Sequence, residues 1–240
     1  MIRRFPSSPL ALSALLAVAA AAAKGEQLWL SQGASVHATD ALRFTLSNTM
    51  YTEHGEHFAN EIAPSFRFRF SPNWSAGGGM TFAQNRVERE VPVDGAGEDA
   101  APIVRHHWDW SGRPSEHVAL DWSAKAGGWS VLDSNRVYLY FREGERDWAV
   151  YRNIFTVTAP PLPRIPWTPR PYFTQQVYFS GRHCYAGHDR FSQFRTIVGL
   201  RARPLDHLQL SGYWQFRDIE NTSRHWNQVR IVGFSANLLF

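Results

Sequence analysis

The stretch from Ile231 to Phe240 reads IVGFSANLLF. Side chains alternate across an extended strand, so Val232, Phe234, Ala236, Leu238 and Phe240 share one face. A water-soluble sheet gains nothing by ending on an exposed Phe. In an outer-membrane β-barrel the same residue faces lipid, and closure of the sheet keeps every backbone group paired. These residues therefore predict a closing strand that carries the membrane-assembly signal, with the barrel-assembly machinery as its partner.

Alternation recurs along the chain. After the first 23 residues no run of about 18 apolar residues occurs, which excludes a helical membrane protein. Residues 42 to 53 set Leu42, Phe44, Leu46 and Met50 against Arg43, Thr45, Ser47, Thr49 and Tyr51. Residues 62 to 70 set Ile62, Phe66, Phe68 and Phe70 against Ser65, Arg67 and Arg69. Further candidates are 27 to 37, 74 to 86, 115 to 124, 129 to 142, 148 to 158, 171 to 180, 191 to 203, 207 to 218 and 227 to 240, which makes eleven. Bacterial single-chain barrels nearly always have an even number. The expected fold is thus all-β, an antiparallel up-and-down transmembrane β-barrel of 10 or 12 strands. Either the first segment packs inside or beside ten strands, or one further strand completes twelve.

Tight turns are expected at Thr39-Asp40, Ser71-Pro72-Asn73, Ala126-Gly127-Gly128 and Pro204-Leu205-Asp206. They alternate with longer polar stretches at 53 to 59, 87 to 114, 142 to 147, 181 to 190 and 218 to 226. Short turns face the periplasm and long loops face outward, which leaves Phe240 at the periplasmic side. Trp74, Trp129, Trp148 and Trp226 begin strands, as an aromatic girdle would. A soluble β-sandwich is the competing fold, and it leaves the terminal Phe without a reason.

At the other end, Arg3 and Arg4 precede the apolar run Leu10 to Ala20 and the small residues Ala21-Ala22-Ala23. That pattern reads as a signal peptide over residues 1 to 23, cleaved to leave one barrel domain at 24 to 240. A membrane anchor fits worse, since the run is mostly Ala and is broken by Ser13. No Cys follows the cleavage site, against a lipoprotein. The expected location is the outer membrane of a Gram-negative bacterium. The formal charge of +4 falls to +2 once Arg3 and Arg4 leave with the leader, so nucleic acid is not an expected partner. Cys184 is the single cysteine, so no internal disulfide holds the chain together.

Alternation turns Arg43, Arg67, Arg69, Arg136, Arg152, Arg195, Arg201 and Arg217 toward the lumen, against fewer acidic residues, chiefly Glu53, Glu61 and Asp121. Guanidinium groups bind carboxylate and phosphate in bidentate fashion, and a low-dielectric wall focuses their field, so such a lumen favours anions. The competing reading is an interior that only satisfies itself. Asp133 and Asn135 break the pattern by landing on an apolar face, and a β-bulge there would restore it. Gly77-Gly78-Gly79 marks a kink or close packing rather than a phosphate loop.

Seven of the ten histidines fall in the expected outer stretches. Imidazole and thiolate are transition-metal ligands, so His54, His57, His183, Cys184 and His188, from EHGEH and HCYAGH, are a candidate metal site, although neither stretch matches a zinc signature. No organic cofactor is expected. Acidic residues Glu88, Glu90, Asp94, Glu98 and Asp99 are candidates for bridging cations to lipopolysaccharide. An outer-membrane lipid-modifying acyl hydrolase is the rival class, and it needs a Ser/His pair with an orienting acid. The nearest pairs are Ser223 with His225 and Ser115 with His117, with no GxSxG or SxxK around them. The proline-rich stretch Ala159 to Pro171 reads as a stiff connection between strands.

The segments GEQLWLSQGASV, RPSEHVALDWSAKAGGW, PWTPRPYF and HWNQVRIVGFSANLLF resemble the bacterial domain of unknown function 2490 family, a set of predicted outer-membrane barrels. The resemblance strengthens the outer-membrane location and brings no agreed activity and no catalytic residues; the function expected from the residues themselves is a small pore or a surface or structural barrel in contact with outer-membrane lipid and lipopolysaccharide.

Deleting Phe240, or replacing it with a charged residue, is expected to lower the amount of membrane-assembled protein far more than the same change at Asn237. Heat-modifiability of the band from membrane fractions measures this, and equal amounts from both variants would contradict the reading of the last strand.

Overall fold

The computed structural model describes residues 27–53, 56–92, 104–141, 148–163, 165, 167–180, 191–220 and 226–240. Eleven strands occupy most of them: β1 (Gln27–His37), β2 (Leu42–Glu53), β3 (Glu56–Arg69), β4 (Trp74–Pro92), β5 (Val104–Ala126), β6 (Trp129–Tyr140), β7 (Trp148–Thr158), β8 (Arg170–Ser180), β9 (Phe191–Leu205), β10 (Leu208–Glu220) and β11 (Trp226–Leu239). Each pairs with its sequence neighbours, and β1 pairs with β11 to close a barrel.

The all-β closed barrel is as expected, and among the described residues its wall has eleven strands, where ten or twelve were expected. The first segment lies neither inside nor beside the wall; it is part of it. With an odd number of up-and-down strands the first and last run the same way, so β1 and β11 pair in parallel, from Gln27 opposite Ile231 to Ser35 opposite Leu239. All other neighbours are antiparallel. A parallel ladder has slanted bonds and is slightly weaker per residue, but it leaves no edge. The seam runs to the last residue: the His37 N–H donates to the Phe240 carbonyl at 2.9 Å, and the Phe240 N–H to Ser35 at 2.8 Å.

One end of the barrel carries the turns after β1, β3, β5 and β9 and the longer proline-rich connection from β7 to β8. Gly127 and Gly128 both have positive φ, the geometry of a two-residue hairpin turn that matches the twist of its strands. At the other end two connections are shorter than alternation suggests. Residues 56 to 61 already belong to β3, and β4 and β5 continue as a hairpin in which 87–92 and 104–110 pair only with each other.

The distribution of side chains is inverted relative to a water-soluble core. Buried positions include Ser35, Ser115, Asp121, Ser134, Gln176 and Gln215, whereas Phe44, Phe66, Leu120, Trp214 and Phe240 are exposed. Trp74, Trp129 and Trp226 are also exposed at strand ends. Trp148 departs from the expected girdle: it stacks on Tyr140 at 5.1 Å and 9°, on the inward alternation of β7. In the closing strand Ala236, Leu238 and Phe240 are exposed, while Phe234 is half-buried and Val232 is fully covered. No bulge rescues Asp133 and Asn135, because β6 keeps unbroken register with both neighbours and both residues stay on its outer face.

Between β3 and β4 the register is interrupted opposite Ala63 and Pro64. Pro64 has no N–H to give the ladder, and the two backbones crowd together there. A Cβ at Gly79 would meet the Pro64 carbonyl oxygen at 2.4 Å, whereas one at Gly212 would meet only the Phe234 ring at 3.4 Å. Gly79→Ala is expected to destabilise the barrel by about 1–3 kcal/mol through overpacking against backbone, and Gly212→Ala to be neutral or slightly stabilising. Urea midpoints of the folded band measure both, and equal midpoints would contradict the close approach.

Candidate functional site: the arginine-lined lumen

The inward alternation of β2, β3, β6, β7, β9 and β10 brings the long arginines into one lumen in two groups. Toward the turn end, Arg43, Arg67 and Arg136 line a small cavity of about 70 Å³ with Asp121 and His117. The Arg67 Nη2 stands 2.6 Å from Asp121 Oδ2, and Asp121 is only 2% exposed. Arg136 donates to Ser134 Oγ at 3.1 Å and to the Tyr138 hydroxyl at 3.4 Å. Arg69 follows the same alternation at the rim, where it donates to the Asp40 carbonyl at 2.9 Å.

The second group lies in the central cavity of about 700 Å³, whose lining includes Arg152, Arg195, Arg217, Tyr51, Tyr138 and Tyr178. Arg152 donates to Gln176 Oε1 at 2.8 Å and to the Tyr138 hydroxyl at 3.2 Å. Its guanidinium lies 5.0 Å from the Tyr178 ring centre, and that of Arg195 lies 4.8 Å from the same ring and 5.5 Å from Trp29. Arg217 donates to Gln193 Oε1 at 3.1 Å, and Arg201 sits over Tyr172 at 5.0 Å. Trp29 meets Tyr51 edge-on at 4.8 Å, and the Tyr51 hydroxyl donates to Glu61 at 2.9 Å. A cation–aromatic layer thus runs around the interior from β6 through β9 to β1 and β2.

The direct partners of Arg152, Arg195, Arg201 and Arg217 are neutral, and Glu61, bonded to Tyr51, is the carboxylate that lines the same cavity. Tyrosine hydroxyls, glutamine oxygens and ring faces orient a guanidinium but cancel none of its charge. Among the described residues only Arg67 is paired with a carboxylate inside the lumen. The buried side-chain atoms left without partners include Nε of Arg152, Arg195, Arg201 and Arg217, and Nε2 of Gln193 and Gln215. All six are donors. Unit charges 4 Å apart interact by about 1 kcal/mol in bulk water but about 4 kcal/mol at an effective dielectric near 20, so each uncompensated guanidinium acts more strongly in a narrow lumen than in bulk water.

Other candidate chemistry is less assembled. Ser115 and His117 are two residues apart on the inward side of β5, but His117 stacks on Tyr138 at 5.1 Å and its Nδ1 has no hydrogen-bond partner. No acid therefore orients that imidazole. Ser223 and His225 lie outside the described residues, as do the leader and the metal candidates His54, His183, Cys184 and His188. His57, the described member of that set, has its Nε2 2.8 Å from the Ala59 carbonyl oxygen at the start of β3. No group of three His, Cys, Asp or Glu able to hold a metal occurs among the described residues.

Sequence reading singled out the arginines and passed over what holds them: Tyr138, Tyr178, Gln176, Gln193 and Trp29. The signal was present, since each shares the alternation of a neighbouring inward arginine. No family model matches the chain, and no curated protein or solved structure matches it. The resemblance to the domain of unknown function 2490 family therefore stays an expectation drawn from its segments.

Arg67→Ala would strand the buried Asp121 carboxylate. Losing one partner of a buried pair costs about 3–5 kcal/mol; Arg67 is one-third exposed, and Arg43 and Arg136 line the same cavity, which puts this case at about 2–3 kcal/mol. Arg67→Ala with Asp121→Asn is expected to recover most of that loss in urea unfolding. Additive losses in the double variant would contradict the pairing.

Proposed function

We propose that the chain is an outer-membrane β-barrel of a Gram-negative bacterium that acts as a small, anion-preferring pore. The observation that carries the reading is the surplus of inward arginines over inward carboxylates, with Arg152, Arg195 and Arg217 lining the central cavity and held by neutral groups. The inverted distribution of apolar and polar side chains supports lipid as the medium outside, because a closed ladder with apolar residues outward is one of the two structures that can cross a bilayer. Lipid and lipopolysaccharide then contact the outer face, and the strand ending at Phe240 is presented to the assembly machinery. The layer of Arg152, Tyr178, Arg195 and Trp29 forms the constriction. An anion moving through it exchanges water for guanidinium donors, whereas a cation meets like charge at its narrowest approach.

Reversal potentials in a planar bilayer under a potassium chloride gradient test this. The wild-type protein is expected to prefer chloride, and Arg152→Ala with Arg195→Ala to lower that preference several-fold. Raising the salt is expected to weaken the preference, since the Debye length falls from about 10 Å at 0.1 M to about 3 Å at 1 M. No conductance, or preference for potassium, would overturn the pore.

A further inference from the structure

Asp133 and Asn135 lie on the outer face of β6, between Val131 and Val137, while Ser134, Arg136 and Tyr138 point inward. Across the ladder Asn135 stands opposite Asn153, Asp133 opposite Phe155, and Val137 opposite Tyr151. The outward polar groups bond to one another. Asn153 Nδ2 donates to Asp133 Oδ1 at 2.6 Å and to Asn135 Oδ1 at 3.1 Å, and the Tyr151 hydroxyl donates to Asn135 Oδ1 at 2.5 Å. One strand further, Gln175 stands opposite Phe155; it donates to the Arg195 carbonyl at 2.7 Å and accepts from Thr196 at 3.3 Å. The outer surface thus carries a hydrogen-bonded polar stripe across β6 and β7 and, beyond Phe155, a second polar pair across β8 and β9.

On the membrane reading proposed above, on which this inference rests, the stripe is in the wrong solvent. Lipid offers no hydrogen bond, and an ionisable group on the lipid face of a barrel is destabilising according to its depth. The stripe is also not saturated. Two donors on Asn135 Oδ1 fix the orientation of that amide and leave its Nδ2–H₂ group unused, while Asp133 Oδ2 and Asn153 Oδ1 have no hydrogen-bond partner among the described residues. One free donor thus lies beside two free acceptors.

We propose that this stripe is the interface between two copies of the chain. A two-fold interface uses one patch twice, so it must be self-complementary. Here the unused Asn135 donor of each copy meets an unused acceptor of the other. The Asp133 carboxylate gains the second donor that β6 and β7 do not supply. Around the stripe, Tyr151, Phe155, Phe173 and Phe179 are exposed and form the apolar border that excludes lipid from the polar centre.

The test uses the full chain with Cys184→Ser, in membranes and after extraction in mild detergent. Mass by analytical ultracentrifugation is expected to be that of a dimer. Phe155→Cys is expected to cross-link between copies in membranes, and Leu30→Cys, on the opposite wall, to give none. Joint replacement Asp133→Leu, Asn135→Leu and Asn153→Leu is expected to yield a monomer that keeps its heat-modifiable fold. A monomeric wild-type protein without a Phe155→Cys cross-link, equal cross-linking at Leu30→Cys, or a triple variant that stays dimeric would overturn the interface. Should the triple variant fail to fold, the two cysteine variants decide the matter. Recovery of the chain in the soluble fraction would refute the membrane reading itself, whereas a membrane-embedded monomer refutes only the interface.

Discussion

Closure of the backbone ladder through the parallel seam of β1 and β11 is the constraint on which everything else depends. An open sheet exposes a row of N–H and C=O groups, and in an apolar medium each unsatisfied group costs several kcal/mol. Ten antiparallel steps bring β11 around to β1 running in the same direction, so the last join has to be parallel. The seam also sets the ends of the wall. Gln27 stands opposite Glu53 at one end, and Phe240 finishes beside Ser35 and His37 at the end that carries the Gly127–Gly128 turn.

Once the ladder is closed, the period of two assigns every side chain to one of two environments. Outward residues are mainly Leu, Phe, Val and Trp; inward residues are Ser, Thr, Tyr, Gln and Arg. The interior is too wide for small polar residues to fill alone and too narrow to leave long ones in bulk water. Arginine suits that space because its guanidinium reaches the middle, stacks on aromatic faces and keeps its charge without a carboxylate. Asp121 is the exception. It is buried against Arg67 on β3, tying β5 to a strand that is not its ladder neighbour.

Most of the wall was legible in the sequence. The limits of β1, β2 and β7 coincide with their alternating segments, because each has one apolar face throughout. The far halves of β4 and β5 were not, since VEREVP and VRHHW show no apolar face to recognise. The parallel seam was not legible either: eleven alternating segments were countable, but pairing of the first with the last is a long-range contact that leaves no local mark. For the lumen, alternation placed the arginines, whereas the neutrality of their partners depended on cross-strand register. Trp148 shows the limit from the other side, since a strand-end position suggested the girdle and parity with Arg152 turned it inward. Asp133 and Asn135 looked like a defect to be repaired by a bulge. Regular register instead leaves them outside, bonded to Asn153 and Tyr151, which no single-strand pattern reveals.

The central claim is that one face of every strand meets lipid and the other a water-filled, arginine-lined lumen. Spin labels placed one at a time at residues 194 to 201 of β9, in a Cys184→Ser background and reconstituted in lipid, test it most directly. The account predicts strict alternation, with oxygen accessibility highest at Phe194, Thr196, Val198 and Leu200 and accessibility to a water-soluble nickel chelate highest at Arg195, Ile197, Gly199 and Arg201. Uniform access of the chelate to both faces, or the opposite phase, would contradict it.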